Sequence, residues 1–169
     1  MKNFLSMVVV LLGLLVTNAN ATFVLQGLVI GVSDGDSITV LDSDKRQHKI
    51  RLQGIDAPEK AQAYGQKSKE SLSKLVYKKT VQVHWSKKDR FGRTVGQVMI
   101  GDIDVCLEQV RRGMAWHYKD YQDEQSIEDR VLYDRAEALA REKRSGLWQD
   151  PAPMEPSTFR GEKRRNSAG

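Results

Sequence analysis

Three short stretches hold the residues whose types and spacing can do chemistry. Asp34-Gly35-Asp36-Ser37 sets two carboxylates around a glycine, RLQGIDAPE at 51–59 delivers Arg51, Asp56 and Glu59, and DRFGR at 89–93 ends on Arg93. Hydrolysis of a phosphodiester builds negative charge on the oxygens around phosphorus, and a cation and arginine forks stabilise that charge as it develops. A carboxylate beside a water molecule takes the proton that the attack releases. Asp36 and Asp56 are hard oxygen donors of the kind Ca2+ prefers, with a main-chain carbonyl and water completing the shell. Arg51 and Arg93 can clamp a phosphate, and Glu59 can receive the proton. Each stretch also has a plain reading. Asp-Gly is a hairpin turn signal, Arg51 with Glu59 can be a structural ion pair, and Lys87, Lys88, Arg90 and Arg93 can be a solvated basic turn. His48, His84 and His117 have no metal-ligand spacing and read as surface or edge residues.

These residues act together only if the chain between them breaks phase. Arg51 and Asp56 are five positions apart, which puts them on opposite faces of a regular strand. Gly54 lies between them, where a bulge can bring both to one cleft, and Pro58 then turns Glu59 back beside them. Alternation of apolar and polar residues predicts strands over 23–31, 37–41, 48–55, 80–85 and 94–100. Helical periodicity predicts a helix over 62–75, with Ala63, Ser71, Leu72 and Leu75 facing inward. A short helix follows over 105–112 and a longer one over 126–144, with Ser126 as its N-cap. Leu147 and Trp148 are expected to fold back onto the body. Five short strands with a helix between the third and fourth give an α+β fold: a five-stranded OB-fold β-barrel with three α-helices. Such barrels bind oligonucleotides on one face, although fold alone does not give function.

The ends of the chain read differently from its middle. Lys2, an apolar run over 4–16 and the small-residue triplet Ala19-Asn20-Ala21 form the pattern of a secretory signal peptide over 1–21. The apolar run is short for a membrane span. The expected location is therefore secreted or periplasmic, with no membrane attachment after cleavage. The formal charge is +5, and losing 1–21 lowers it by one. A net positive exported protein suits anionic partners such as nucleic acid. Cys106 is the single cysteine, so no internal disulfide forms, and its amphipathic setting predicts burial. Residues 150–169 are Pro-rich, then basic and without periodicity, and read as a disordered basic tail. That tail lacks the apolar anchors of a membrane-surface protein.

In this order and spacing, DGDS, RLQGIDAPE and DRFGR closely resemble the staphylococcal-nuclease-like (thermonuclease) family, and RRGMAW and SGLW extend the resemblance from about Phe23 to Trp148. The resemblance implies a nuclease OB-fold domain over 22–149. It further implies Ca2+-dependent, sugar-non-specific endonuclease activity on DNA and RNA, leaving 3′-phosphate ends. Carried over residue by residue, it makes Asp36, Asp56 and the carbonyl of Ala57 metal ligands, Arg51 and Arg93 phosphate clamps, and Glu59 the proposed general base. Arg90, Tyr118 and Tyr121 become nucleotide-binding candidates. The chain departs from the family at Ser37 and Ala57, where threonine is common, and at Phe91, where the best-known member has tyrosine. The spacing of Tyr118 and Tyr121 in WHYKDY is also shifted, and packing against the barrel is their alternative role. The rival reading is a non-catalytic OB-fold module that binds nucleic acid or a protein. Such a module has no need to keep Glu59, both arginines and both aspartates together. Nothing in the sequence demands more than a monomer.

Overall fold

A computed structural model describes residues 22–167; the segment read as a signal peptide lies outside them. Strands β1 (Phe23–Val32), β2 (Ser37–Leu41), β3 (Gln47–Leu52), β5 (Thr80–Lys88) and β6 (Thr94–Ile100) form one sheet. Its order is β3-β2-β1-β5-β6, and a β3–β6 pairing closes it into a barrel. The closing pair is parallel, with Ile50 opposite Thr94, Arg51 opposite Val95 and Leu52 opposite Gly96, while the other pairs are antiparallel. Alternation explains what fills the barrel. Ile38 and Val40, Ile50 and Leu52, and Val81 and Val83 point inward from their strands, joined by Val29 and Val98.

Two two-residue strands, β4 (Ile55–Asp56) and β8 (Trp116–His117), pair beside the barrel, and β7 (Ile103–Asp104) extends β6. Helix α1 (Gly65–Val76) covers the barrel with Leu72 and Val76, and α2 (Val105–Arg111) covers it with Val105, Cys106 and Val110. Helix α3 (Ile127–Glu142) adds Tyr133 and Ala136, and the Ser126 hydroxyl caps its start by accepting from the Asp129 N–H. Leu147 and Trp148 do fold back, packing with Trp116 and Ala140, and the Arg141 guanidinium lies over the Trp148 ring. Cys106 is buried, as its setting predicts. Among the described residues no helix is long and apolar enough to cross a membrane.

The structure departs from the sequence reading in four places. The strand read over 48–55 stops at Leu52, and the chain turns through Gln53-Gly54 before β4. Helix α1 begins at Gly65 rather than 62, leaving Ala63 outside the helix and exposed. His117 is 4 % exposed rather than a surface or edge residue: β4–β8 pairing fixes its backbone, and Asp134 and Gln125 hold its ring. Within the segment read as a disordered tail, residues Pro156–Ser167 form α4. Proline at a first helical position suits a helix start, because its missing N–H has no intrahelical partner there. The polarity of α4 hid it from a test based on apolar periodicity.

Gln109 ties these layers together. It is fully buried on α2, its Nε2 donates to the carbonyls of Gly35 (2.9 Å) and Ser68 (3.2 Å), and its Oε1 accepts from the Ser71 hydroxyl. One side chain thus links α2 and α1 to the turn before β2. Gly35 has no room for a larger residue: an added Cβ would lie 1.8 Å from the Ser68 Oγ and 2.7 Å from the Ala57 Cβ. Gln109→Leu strands these polar groups in the core, and we expect it to cost about 2–3 kcal/mol of stability in urea denaturation. A loss of only a few tenths would show that water replaces the amide.

Candidate active site

The barrel closure and the Gly54 turn decide which side chains meet. Ser37 lies opposite Arg51 in the β2–β3 ladder, and the Leu52 N–H donates to the Asp36 carbonyl, so Asp36 stands beside the end of β3. Gly54 takes φ +73°, a conformation open to glycine and costly for residues with a Cβ. The phase break this permits returns Asp56 to the face that Arg51 occupies. The arginine's Nη2 then lies 3.2 Å from the Asp36 Oδ2 and 3.1 Å from the Asp56 Oδ1. Arg51 therefore pairs with the two aspartates, and the sequence alternative that paired it with Glu59 does not form.

Both aspartates are buried, Asp36 at 7 % and Asp56 at 3 % exposure. Asp36 accepts from the Ser37 hydroxyl and from the Ala57 N–H at 2.9 Å each, which brings the Ala57 backbone to the same spot. Asp34 sits over the pair, its Oδ1 accepting from the Asp36 N–H. Burial, then the adjacent Asp36 charge, push the Asp34 carboxyl up to about 6. Burial also raises the Asp56 carboxyl, against the pull of Arg160 and Arg51. Both carboxyls hold their protons more firmly chiefly because they are buried, so a cation drawn to this place would favour their ionised forms. Two converging carboxylates and a nearby main chain fit a hard divalent cation. No group of three or more His, Cys, Asp or Glu residues with metal-holding geometry occurs among the described residues, so the rest of a cation's shell would come from the main chain and water.

Arg93 reaches the site from the other side of the parallel pair. Asp89 organises its loop: one oxygen accepts from the N–H groups of Phe91 and Arg93, the other from Arg93 Nε at 2.7 Å. Burial opposes ionisation of Asp89, but these bonds prevail and hold its carboxyl below the usual range. Arg93 Nη1 also donates to the Ser37 hydroxyl at 3.3 Å, which links it to the Asp36 end of the site. Glu59 follows Pro58, its N–H donating to the Gln62 side chain. Its carboxylate is held by Arg160 of α4, at 2.9 Å from Nη1 to Oε1.

Arg160 is the contact that the sequence reading missed. Besides Glu59 it engages both Asp56 oxygens, Nη1 to Oδ1 at 3.1 Å and Nη2 to Oδ2 at 2.9 Å. Burial disfavours its charge, yet Asp56 and then Glu59 hold the proton more firmly than on a free arginine. No motif marks Arg160; the only signal was an arginine in a Pro-led polar segment.

All nine residues singled out in the sequence line one open cleft of about 1580 Å3: Asp36, Arg51, Asp56, Ala57, Glu59, Arg90, Arg93, Tyr118 and Tyr121. They do not all touch. Arg90 stacks over the exposed Phe91 ring at 4.8 Å rather than reaching the carboxylates. Tyr118 and Tyr121 pack together at 4.9 Å, and Tyr121 stays half exposed with Lys87 over its ring. Burial and then the Asp56 charge raise the Tyr118 hydroxyl, which places it within the field of the site. Exposed rings among cations suit the stacking of bases. The cleft exceeds the roughly 300–1,000 Å3 of a small-molecule pocket and suits a polymer.

The Asp34 carboxyl gives a pH test in the presence of chelator. Its folded value, about 6, lies above the ordinary 3.8, so the folded state binds the proton more tightly. Its contribution therefore lowers stability as pH rises between those values. Asp34→Asn should be more stable than the parent at about pH 7 and match it at about pH 4, read by urea denaturation. Equal stability at both would mean that the site tolerates the full charge.

Comparison with known proteins agrees with the geometry. The family described as staphylococcal nuclease homologue matches residues 49–150. A Haemophilus influenzae protein named "Uncharacterized endonuclease" is 44 % identical over 140 residues, covering 83 % of this chain and 75 % of that protein. Protein ParB of Escherichia coli is 38 % identical over 160 residues, with 89 % and 88 % covered. A micrococcal nuclease of Shigella flexneri is 36 % identical over 146 residues, with 80 % of each chain covered. With the matched segment running from β3 past α3 and taking in the Arg51, Glu59 and Arg93 loops, the chain belongs to the family of staphylococcal nuclease homologues.

Proposed function

We propose that this protein is an exported, Ca2+-dependent endonuclease that hydrolyses phosphodiester bonds of DNA and RNA and leaves 3′-phosphate ends. The observation that carries the reading is the convergence of Asp36, Asp56, Arg51, Arg93 and Glu59 on one cleft, when local pairing alone scatters them over three loops. The signal-peptide pattern of 1–21 supports export.

Asp36, Asp56 and the Ala57 carbonyl would hold the cation, which when bound supplies positive charge against the phosphate oxygens. Arg51 and Arg93 reach the cleft from the paired ends of β3 and β6, where they bind the non-bridging oxygens and orient the phosphate. Their forks stabilise the charge that grows as water attacks phosphorus. Glu59, about 40 % exposed at its side chain, can face that water and accept its proton. The new O–P bond forms as the bond from phosphorus to the 5′ oxygen breaks, and that oxygen takes a proton from solvent. The exposed rings of Phe91 and Tyr121 hold bases beside the reacting phosphate without reading their identity.

Glu59→Gln should lower turnover at least about a hundredfold while oligonucleotide affinity changes little. The measurement is DNA and RNA degradation in Ca2+ against chelator, with the product ends mapped. Unaltered turnover would remove Glu59 from the chemistry, and binding without cleavage in any metal would make this a binding module. Arg160 generates a separate expectation, because its guanidinium holds the oxygens of Asp56 that a cation needs. Arg160→Ala should tighten Ca2+ binding several-fold in calorimetric titration without nucleic acid, whereas an unchanged affinity would show that Arg160 does not compete.

A further inference from the structure

Helix α4 lies outside the segment that the family match covers, yet its residues line the candidate active cleft. Its anchors are few and mostly polar. Pro156 is buried, the Gln62 amide donates to the Met154 carbonyl just before the helix, and Arg160 grips Asp56 and Glu59. One further turn along the same face come Lys163 and Arg164, both exposed, both on the cleft and neither in an ion pair among the described residues. The helix carries four basic residues against one acidic residue. On the same cleft, Lys88 at the end of β5 and Arg90 of the β5–β6 loop are likewise without an ion pair among the described residues, and Phe91 stands 69 % exposed beside them.

We propose that α4 is the second wall of the substrate groove, with Lys163 and Arg164 contacting the phosphate backbone of a nucleic-acid strand that runs between α4 and the β5–β6 loop. The inference rests on the nuclease reading and adds the surface that grips the polymer. Charge complementarity selects the occupant. Unpaired cations from α4 and from the end of β5 and its following loop line a cleft too large for a small molecule, while the negative charge lies on its buried floor. A polyanion satisfies both walls and presents a phosphate to the floor. An acidic peptide would match the cations but leave the exposed rings without bases to stack on. Arg160 sets the height of the wall by pinning the helix to the carboxylate floor, which leaves the next turn over the path of the strand.

The test uses the full mature chain carrying Lys163→Gln and Arg164→Gln. The probe is a fluorescent oligothymidylate, and binding is followed by anisotropy in chelator across a range of salt. Loss of two single-strand phosphate contacts should reduce the slope of log affinity against log salt by about 1.4. In Ca2+, KM for DNA should rise while kcat at saturation holds. A charge-matched control, Lys67→Gln with Lys74→Gln on α1 away from the cleft, should leave slope and KM near the parent's. Equal slopes for the two double variants would overturn the proposal, because the effect would then belong to net charge. Tighter binding or faster turnover in the α4 variant would overturn it in favour of an inhibitory cover. The nuclease reading is judged separately, by cleavage with the parent protein in Ca2+.

Discussion

Two like charges share a buried place at the end of the barrel, and one guanidinium nitrogen lies between them. Arg51 Nη2 stands within 3.2 Å of an oxygen on Asp36 and on Asp56. Taking carboxylates out of water is costly unless charge and hydrogen bonds compensate. Much of the nearby architecture serves that compensation. The β2–β3 ladder places Ser37 opposite Arg51, the Ala57 N–H and the Ser37 hydroxyl donate to Asp36, and Gln109 braces the turn that carries it. The parallel β3–β6 closure brings Arg93 to the same rim. With the barrel unclosed, Arg93 would be parted from Arg51 and from the Asp36 end of the site.

The compensation is incomplete, and the residue is informative. Asp34 and Asp56 both hold protons more firmly than free carboxylates, first because they are buried. A stability-optimised core would carry fewer carboxylates here. Groups whose environments work against their ionisation cluster where charge is to be moved or bound. The floor is rich in negative charge, the rim carries arginines, and the outer walls carry lysines, arginines and rings. This layering lets a polyanion be drawn in by the walls while a cation is drawn to the floor.

How much of this was legible in the sequence follows from the range of each interaction. Barrel strands were readable because burial on one face imposes a two-residue alternation, as in Val81 and Val83 or Ile50 and Leu52. Gly54 was readable as a phase break because a glycine inside a strand pattern often marks a bulge or a close backbone approach, and its positive φ in the turn after Leu52 fits the break. Asp36, Arg51, Asp56, Glu59 and Arg93 stood in motifs, so their meeting at one cleft was expected. His117 was misplaced because its burial depends on α3, which supplies Asp134 and Glu137 from far along the chain. The same limit hid α4. Its helix is polar and held by a long-range guanidinium contact, and no local pattern records a partner about a hundred residues away.

Arg160 therefore joins two parts of the molecule that the sequence keeps apart. Its guanidinium is at once the anchor of α4 and a counterion of Asp56 and Glu59. Any ligand that competes for the Asp56 oxygens weakens the hold on α4, and by reciprocity a strand that holds α4 in place changes how readily those oxygens are released. On the proposed reading, a cation on the floor and a polymer on the wall would be coupled through this one side chain. The sign of the coupling depends on what Arg160 does once released. If it turns to a phosphate of the bound strand, cation and polymer reinforce each other. If α4 lifts away with it, they oppose. The exposed face of Lys163 and Arg164 favours the first, because a strand lying against that row keeps the helix over the cleft after the carboxylates let go.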